Sequence, residues 1–131
     1  MSLVAINVKS GSAFTIYALE EDGRCKVMKF IEALGDNDRE RMAWYIDRTA
    51  DFGLIQNTKQ FKPLKGEGGI FEFRMKRSGA RIFCFRDDRA VILTNGYYKK
   101  TDPIDPLEKQ RAQRLRDLYR SAKANKVLGY A

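Results

Sequence analysis

Residues 70–86, which read IFEFRMKRSGARIFCFR, constrain the fold more than any other stretch of the chain. Ile70 to Lys76 alternates: Phe71, Phe73 and Met75 fall on one side, Glu72, Arg74 and Lys76 on the other. That is the period-2 pattern of a half-buried strand. Ser78-Gly79 then signals a two-residue hairpin turn, and Arg81 to Arg86 is the returning strand. If residue 77 pairs with residue 80, Met75 faces Ile82 and Phe73 faces Cys84. That register buries one face and gathers Arg74, Lys76, Arg81, Phe83 and Phe85 on the other, expected to be open. A third strand, Ala90 to Asn95, should pair antiparallel with the second. The length of the loop at Asp87 to Arg89 leaves open which face Tyr97 or Tyr98 joins. No alternating apolar run follows Asn95-Gly96, so it reads as a strand end or bulge.

Before this hairpin, Phe14 to Leu19 is β-rich and runs into a Glu-Glu-Asp-Gly turn. Cys25 to Leu34 reads as a short helix, with Val27, Phe30, Ile31 and Leu34 at helical spacing and Gly35 as its stop. Asp36 or Asn37 can cap a second helix to Phe52, striped by Met42, Tyr45, Ile46 and Thr49; Trp44 beside the stripe is read as packing. Gly66-Glu67-Gly68-Gly69 leads into a strand, whereas a phosphate-binding loop would open a helix, so it is a flexible connection. Asp105-Pro106-Leu107-Glu108 is a helix start, with Asp as cap and Glu three residues on. This last helix should run to about Lys123, burying Leu107, Ala112, Leu115, Tyr119 and Ala122, and its many Arg and Lys residues make a solvated basic face or an RNA contact. The elements predict one α+β domain over residues 1–131: a small, strongly twisted antiparallel sheet with two N-terminal helices and a basic C-terminal helix. Leu3 to Val8, within 1–13, can add an edge strand, and 124–131 is a tail.

Charge is placed rather than spread. The net charge is +8, yet residues 1–58 hold seven basic and nine acidic side chains, whereas Lys59 to Arg86 holds eight basic and two acidic. A localised basic excess implies a polyanionic partner, most often nucleic acid. The chain has no histidine. That removes His-based acid–base catalysis, Ser-His-Asp activation and the usual zinc sites together. Two cysteines, Cys25 and Cys84, lack metal-ligand spacing and read as reduced thiols, with Cys84 buried. No metal or other cofactor is therefore expected. No apolar run approaches a membrane span and no signal-peptide layout is present, so a cytoplasmic location away from membranes is expected.

If the three strands form a sheet, Lys62, Lys65, Arg74, Arg81, Lys99 and Lys100 approach one another. Cleavage of RNA through its 2′-hydroxyl needs a base, stabilisation of a pentacoordinate phosphate and an acid for the leaving 5′-oxygen. Clustered cations supply the second need directly. Arginine suits the phosphate because its fork donates two hydrogen bonds. A lysine crowded by cations can drop in pKa into the range of an acid or base. Tyr97 or Tyr98 can stack on a base or shuttle a proton. An ordinary basic binding surface without catalysis explains the same residues.

Phe61 to Gly66 (F-x-P-L-K-G), Phe71 to Arg74 (F-E-F-R), Ala80 to Phe85 (A-R-I-F-C-F) and Tyr98 to Thr101 (aromatic-K-K-T) are followed by a helix opening at Asp-Pro. In that order, over roughly Phe14 to Ala122, the chain resembles the RelE/ParE superfamily of bacterial toxins, in particular its HigB-like, phage-derived host-killing branch. The resemblance implies a RelE-like fold and a toxin that cleaves mRNA in the ribosomal A site by metal-free 2′-hydroxyl transesterification. It also implies a cognate antitoxin protein, of helix-turn-helix type, beside ribosome and mRNA as partners. Arg74 and Arg81 would hold the scissile phosphate, and Tyr98 would orient or stack on a nucleotide. Lys62 and Lys65 would contact RNA from the preceding loop, Lys99 and Lys100 from the end of the last strand. Joined to the open-face reading, this gives Arg74, Arg81, Tyr98 and Lys99 as catalytic and Lys62, Lys65, Lys76, Phe83 and Lys100 as RNA-binding. The competing readings are a non-catalytic RNA- or ribosome-binding phage accessory protein, and a docking module for an acidic antitoxin segment.

Overall fold

A computed structural model describes residues 2–66, 68–99 and 106–131. Strands β1 (Leu3–Ser10) and β2 (Thr15–Glu21) precede helices α1 (Lys26–Glu32) and α2 (Asp36–Phe52). Then come β3 (Phe61–Pro63), β4 (Ile70–Arg74), β5 (Ala80–Asp87), β6 (Ala90–Tyr98), α3 (Pro106–Ala124) and β7 (Gly129–Tyr130). The α+β class is as expected. The sheet, however, has seven strands in the order β3-β4-β5-β6-β2-β1-β7 and is mixed, because β2 pairs parallel with β6 and β7 parallel with β1. Residues 129–130, read as tail, thus close the sheet outside β1, and the Asn7 amide donates to the Ala131 carbonyl at 2.8 Å.

β5 is buried continuously from Ala80 to Phe85. On one face Ile82 and Cys84, with Phe73 and Met75, pack against Val27 and Ile31 of α1 and Met42, Tyr45, Ile46 and Ala50 of α2. On the other, Phe83 meets Ala112 of α3, while Phe85 meets Tyr119 at a ring separation of 5.2 Å. The face expected to be open is therefore covered by α3. A strand hydrophobic on both sides requires a layer on each, and α3 supplies the second.

The hairpin register differs from the expected one. Arg74 opposes Arg81 and Phe73 opposes Ile82, with four residues, Lys76 to Gly79, in the turn. The Met75 amide donates to Ala80 O at 2.9 Å and the Gly79 amide to Met75 O at 3.0 Å. The slip is two residues, so every side chain keeps its face. Gly79 sits at φ +80°, and a Cβ there would lie 2.9 Å from Lys99 O, so the end of β6 packs against a turn that only glycine fits. A bulge does form near Asn95: Ile82 opposes Gly96 while Cys84 opposes Leu93, leaving Thr94 and Asn95 both opposite Phe83. The extra residue reverses the alternation and turns Tyr97 toward α3.

The stripe Met42, Tyr45, Ile46 and Thr49 is buried as expected, but Trp44 is 46% exposed. α2 takes Gly35 as its N-cap, without a side-chain cap bond. In α3 the inward place expected for Leu107 belongs to Glu108, and Leu107 faces out. The expected cap Asp105 lies outside the described residues.

Near its C-terminus α3 is tied to the sheet through Asp87, which accepts from Tyr119 Oη at 2.6 Å and Lys123 Nζ at 2.5 Å. These two hydrogen bonds hold the Asp87 carboxyl below the usual aspartate range. A carboxyl with a lowered folded-state pKa contributes stability above its ordinary value, lost as pH falls through the lowered one. Asp87→Asn should cost about 1–2 kcal/mol at pH 7, a charged hydrogen bond discounted for the half-exposed lysine. The deficit should shrink as pH drops below the ordinary aspartate value of 3.8. Urea denaturation of both proteins across that range measures it.

Candidate nucleic-acid interface

Two guanidiniums face each other across β4 and β5, a like-charge pair that a sheet disfavours unless something neutralises it. Glu72, on the same face two residues before Arg74, does so. Its Oε1 lies 3.4 Å from Arg74 Nε and 3.8 Å from Arg81 Nε. Glu72 and Arg81 are buried, whereas Arg74 keeps part of its side chain in solvent. Arg81 also donates to the carbonyls of Ala80 (3.2 Å) and Met75 (3.4 Å), and Arg74 to that of Thr58 at 3.4 Å. Burial pushes the Glu72 carboxyl above the usual range, against the pull of Arg81, Arg74, Lys99 and Lys62. Its Oε2 makes no hydrogen bond among the described residues. The arrangement is a buried carboxylate backing two cations of unequal exposure, and it can present fixed positive charge at the end of β4.

Other expected residues distribute unevenly around this centre. Lys62, opposite Glu72 on β3, is exposed, as are Lys65 and Lys76. Lys99 is half-buried, its amide donating to Gly79 O at 2.9 Å. Tyr98 is exposed on the other face, against Phe30 of α1 with ring centroids 5.2 Å apart. Tyr97 instead joins the arginine face, stacked on Phe83 at 5.2 Å. Burial, then the Glu72 charge, raises the Tyr97 hydroxyl pKa, so it stays protonated at neutral pH. Phe83 is fully buried under α3 and is not available to stack on RNA, which corrects the open-face expectation. Lys100 lies outside the described residues.

Much of the charge on α3 is spent inside the fold. Arg111 pairs with Glu108, Arg114 with Glu21 and Lys123 with Asp87, while Arg116 donates to Gly68 O at 2.9 Å. Sequence reasoning missed two features. Glu72 was visible as the one acidic residue of the cationic strand face. The second is a cleft of about 720 Å³ between α2 and the β4–β5 turn, lined by Trp44, Arg41, Lys59, Arg74 and Arg77 among others. Its signal was Trp44 lying off the apolar stripe. Among the described residues no three His, Cys, Asp or Glu side chains converge as a metal site, and no helix is long and apolar enough to cross a membrane.

Comparison with known proteins gives one family match: residues 29–117 fit the family described as phage derived protein Gp49-like (DUF891). Comparison with curated proteins finds no match. Among solved structures, an arginine-to-alanine double mutant of the E. coli toxin RelE in the free state aligns at TM-score 0.49 and 13% identity, over 88% of this chain and 98% of that one. The isolated E. coli RelE toxin aligns at 0.46 and 15% identity, over 68% and 89% respectively.

Removing Glu72 leaves the buried Arg81 guanidinium facing the partly exposed one of Arg74 with no carboxylate between them. Glu72→Ala should therefore destabilise the fold by about 3–5 kcal/mol, the usual result of breaking a buried ion pair from one side. A double substitution, Glu72→Ala with Arg81→Met, should recover part of the loss. Guanidinium denaturation of the three proteins checks both statements.

Proposed function

The chain belongs to the phage-derived Gp49-like family, a RelE/HigB-type toxin family, and from that premise we propose that it is a ribosome-dependent mRNA endoribonuclease of a toxin–antitoxin pair. The observation that carries the reading is the Arg74–Arg81 pair backed by Glu72. In this reading Arg74, the partly exposed member, binds the scissile phosphate, and Arg81 behind it supplies the field that stabilises the pentacoordinate species. Lys62, Lys65 and Lys76 hold flanking phosphates, together with Lys100. Tyr98 and Lys99 at the end of β6 orient the nucleotide. The 2′-hydroxyl gives up its proton and its oxygen attacks phosphorus, the bond from phosphorus to the 5′-oxygen breaks, and that oxygen takes up a proton, leaving a 2′,3′-cyclic phosphate and a 5′-hydroxyl. The partners are translating ribosomes in the cytoplasm and an antitoxin, of helix-turn-helix type, that covers the cationic surface.

One observation favours a second reading. Arg81 and Glu72 are both buried, so Arg74 alone of the trio reaches solvent. A non-catalytic RNA- or ribosome-binding protein needs no more than that, and an antitoxin-docking module would use the same exposed cations.

Mapping of 5′ ends in a bacterial translation reaction, with and without ribosomes, separates these readings. The nuclease reading expects cuts at codon boundaries only where ribosomes translate. Arg74→Ala should lower cleavage by about 10²–10³-fold, the effect of removing one transition-state donor, at a smaller cost in thermal stability than Glu72→Ala, because Glu72 keeps Arg81. Arg81→Ala should lose both activity and stability, because its side chain is part of the core. Intact mRNA beside unaffected translation would move the protein to the binding readings.

A further inference from the structure

The cleft between α2 and the β4–β5 turn is distinct in composition from the rest of the surface. Trp44 lines it and is 46% exposed overall, although an indole of that size normally buries most of its area. The Arg41 guanidinium sits 5.8 Å from the ring centroid, within cation–π range. Arg41, Lys59, Arg74, Lys76 and Arg77 outnumber Asp38 and Glu40 along the walls. Asn57 and Gln60 add amides that both donate and accept. Aliphatic lining is nearly absent: Met75 is only 2% exposed.

Each property narrows the ligand. A half-exposed indole with a guanidinium beside it suits a flat partner, and a net positive wall an anion. Side-chain amides read polar ring edges. A peptide anchored by apolar side chains finds no pocket to fill. A nucleotide of single-stranded RNA meets all of these requirements. Arg74 lines the same cleft and also stands beside Glu72, so a base held here would sit next to a phosphate at the arginine pair. Tyr45 fixes the two walls together, its hydroxyl donating to Arg74 O at 2.8 Å.

We propose that this cleft is a single-stranded RNA subsite, in which Trp44 stacks on the base adjoining the phosphate bound by Arg74. The inference rests on the nuclease reading and deepens it by naming where the substrate strand lies. Trp44 is a positioning residue, acting on the substrate's base and not on the reacting atoms.

Because Trp44 is the only tryptophan in the chain, its emission reports on the cleft alone. The full chain is titrated at low salt with a short, fluorescein-labelled single-stranded RNA, following tryptophan emission and fluorescein anisotropy together. Quenching that saturates along the anisotropy curve is the expected result. Trp44→Ala should weaken binding about tenfold or more, the worth of one stacked base, and Trp44→Phe should restore most of it. Arg77→Glu, an exposed turn substitution that leaves the core alone, should weaken binding and flatten its salt dependence. Circular dichroism confirms that each variant is folded. Anisotropy rising without quenching would overturn the subsite, as would equal quenching by a polyglutamate peptide. Either result leaves the nuclease reading standing. Ribosome-dependent cleavage unaffected in Trp44→Ala, with no binding of free RNA, would likewise overturn the subsite alone. No RNA binding together with intact mRNA in the translation reaction would remove both.

Discussion

A strand that is apolar on both sides has to be covered twice, and the six consecutive buried residues of β5 set that requirement for the whole molecule. α1 and α2 provide one cover and α3 the other, so the chain must cross to the far face after β6. The charged residues are placed by the same constraint. Arg81 alternates with Phe83 and Phe85 and therefore points under α3, where an unpaired guanidinium would be costly. Glu72, across the ladder, makes that burial tolerable. Arg74 lies at the end of its strand and retains solvent access, which makes it the outlet of an otherwise enclosed charge system.

The surface left positive is smaller than the composition suggests. Arg111, Arg114 and Lys123 each hold a carboxylate of the fold, and Arg116 holds the loop before β4 by a backbone carbonyl. These contacts anchor α3 to β2, to β5 and to residue 68. Exposed cations run along the β3–β4 edge, at Lys59, Lys62, Lys65, Lys76 and Arg77, beside others on the helices.

The period-2 run of β4 and the helical stripe of α2 were legible because each is a local pattern whose apolar side has one possible destination. The hairpin slip was not, because the turn length depends on Gly79 accommodating the end of β6, a contact with a residue twenty positions on. The side joined by Tyr97 depended on a bulge that no propensity announces, although Asn95-Gly96 marked its place. Phe83 was misread for a related reason. A polar-and-aromatic strand face looks open until a later helix lies on it, and the amphipathic pattern of α3 does not say which sheet face it covers. The parallel β2–β6 pairing joins segments separated by two helices and three strands, and pairings at that distance leave no signature in either strand.

Arg74 is the residue at which these two halves of the molecule meet. Its side chain belongs to the Glu72 system on the α3 side, its carbonyl accepts from Tyr45 of α2, and its guanidinium reaches the Thr58 carbonyl in the loop before β3. A neighbour on its own strand, a helix and a loop thus meet at one partly exposed residue, the helix at its backbone and the other two at its guanidinium. A buried carboxylate and a loop carbonyl at its side chain, and a tyrosine hydroxyl at its backbone, together set where the Arg74 guanidinium emerges, at the junction of the α2 layer, the sheet and the loop before β3.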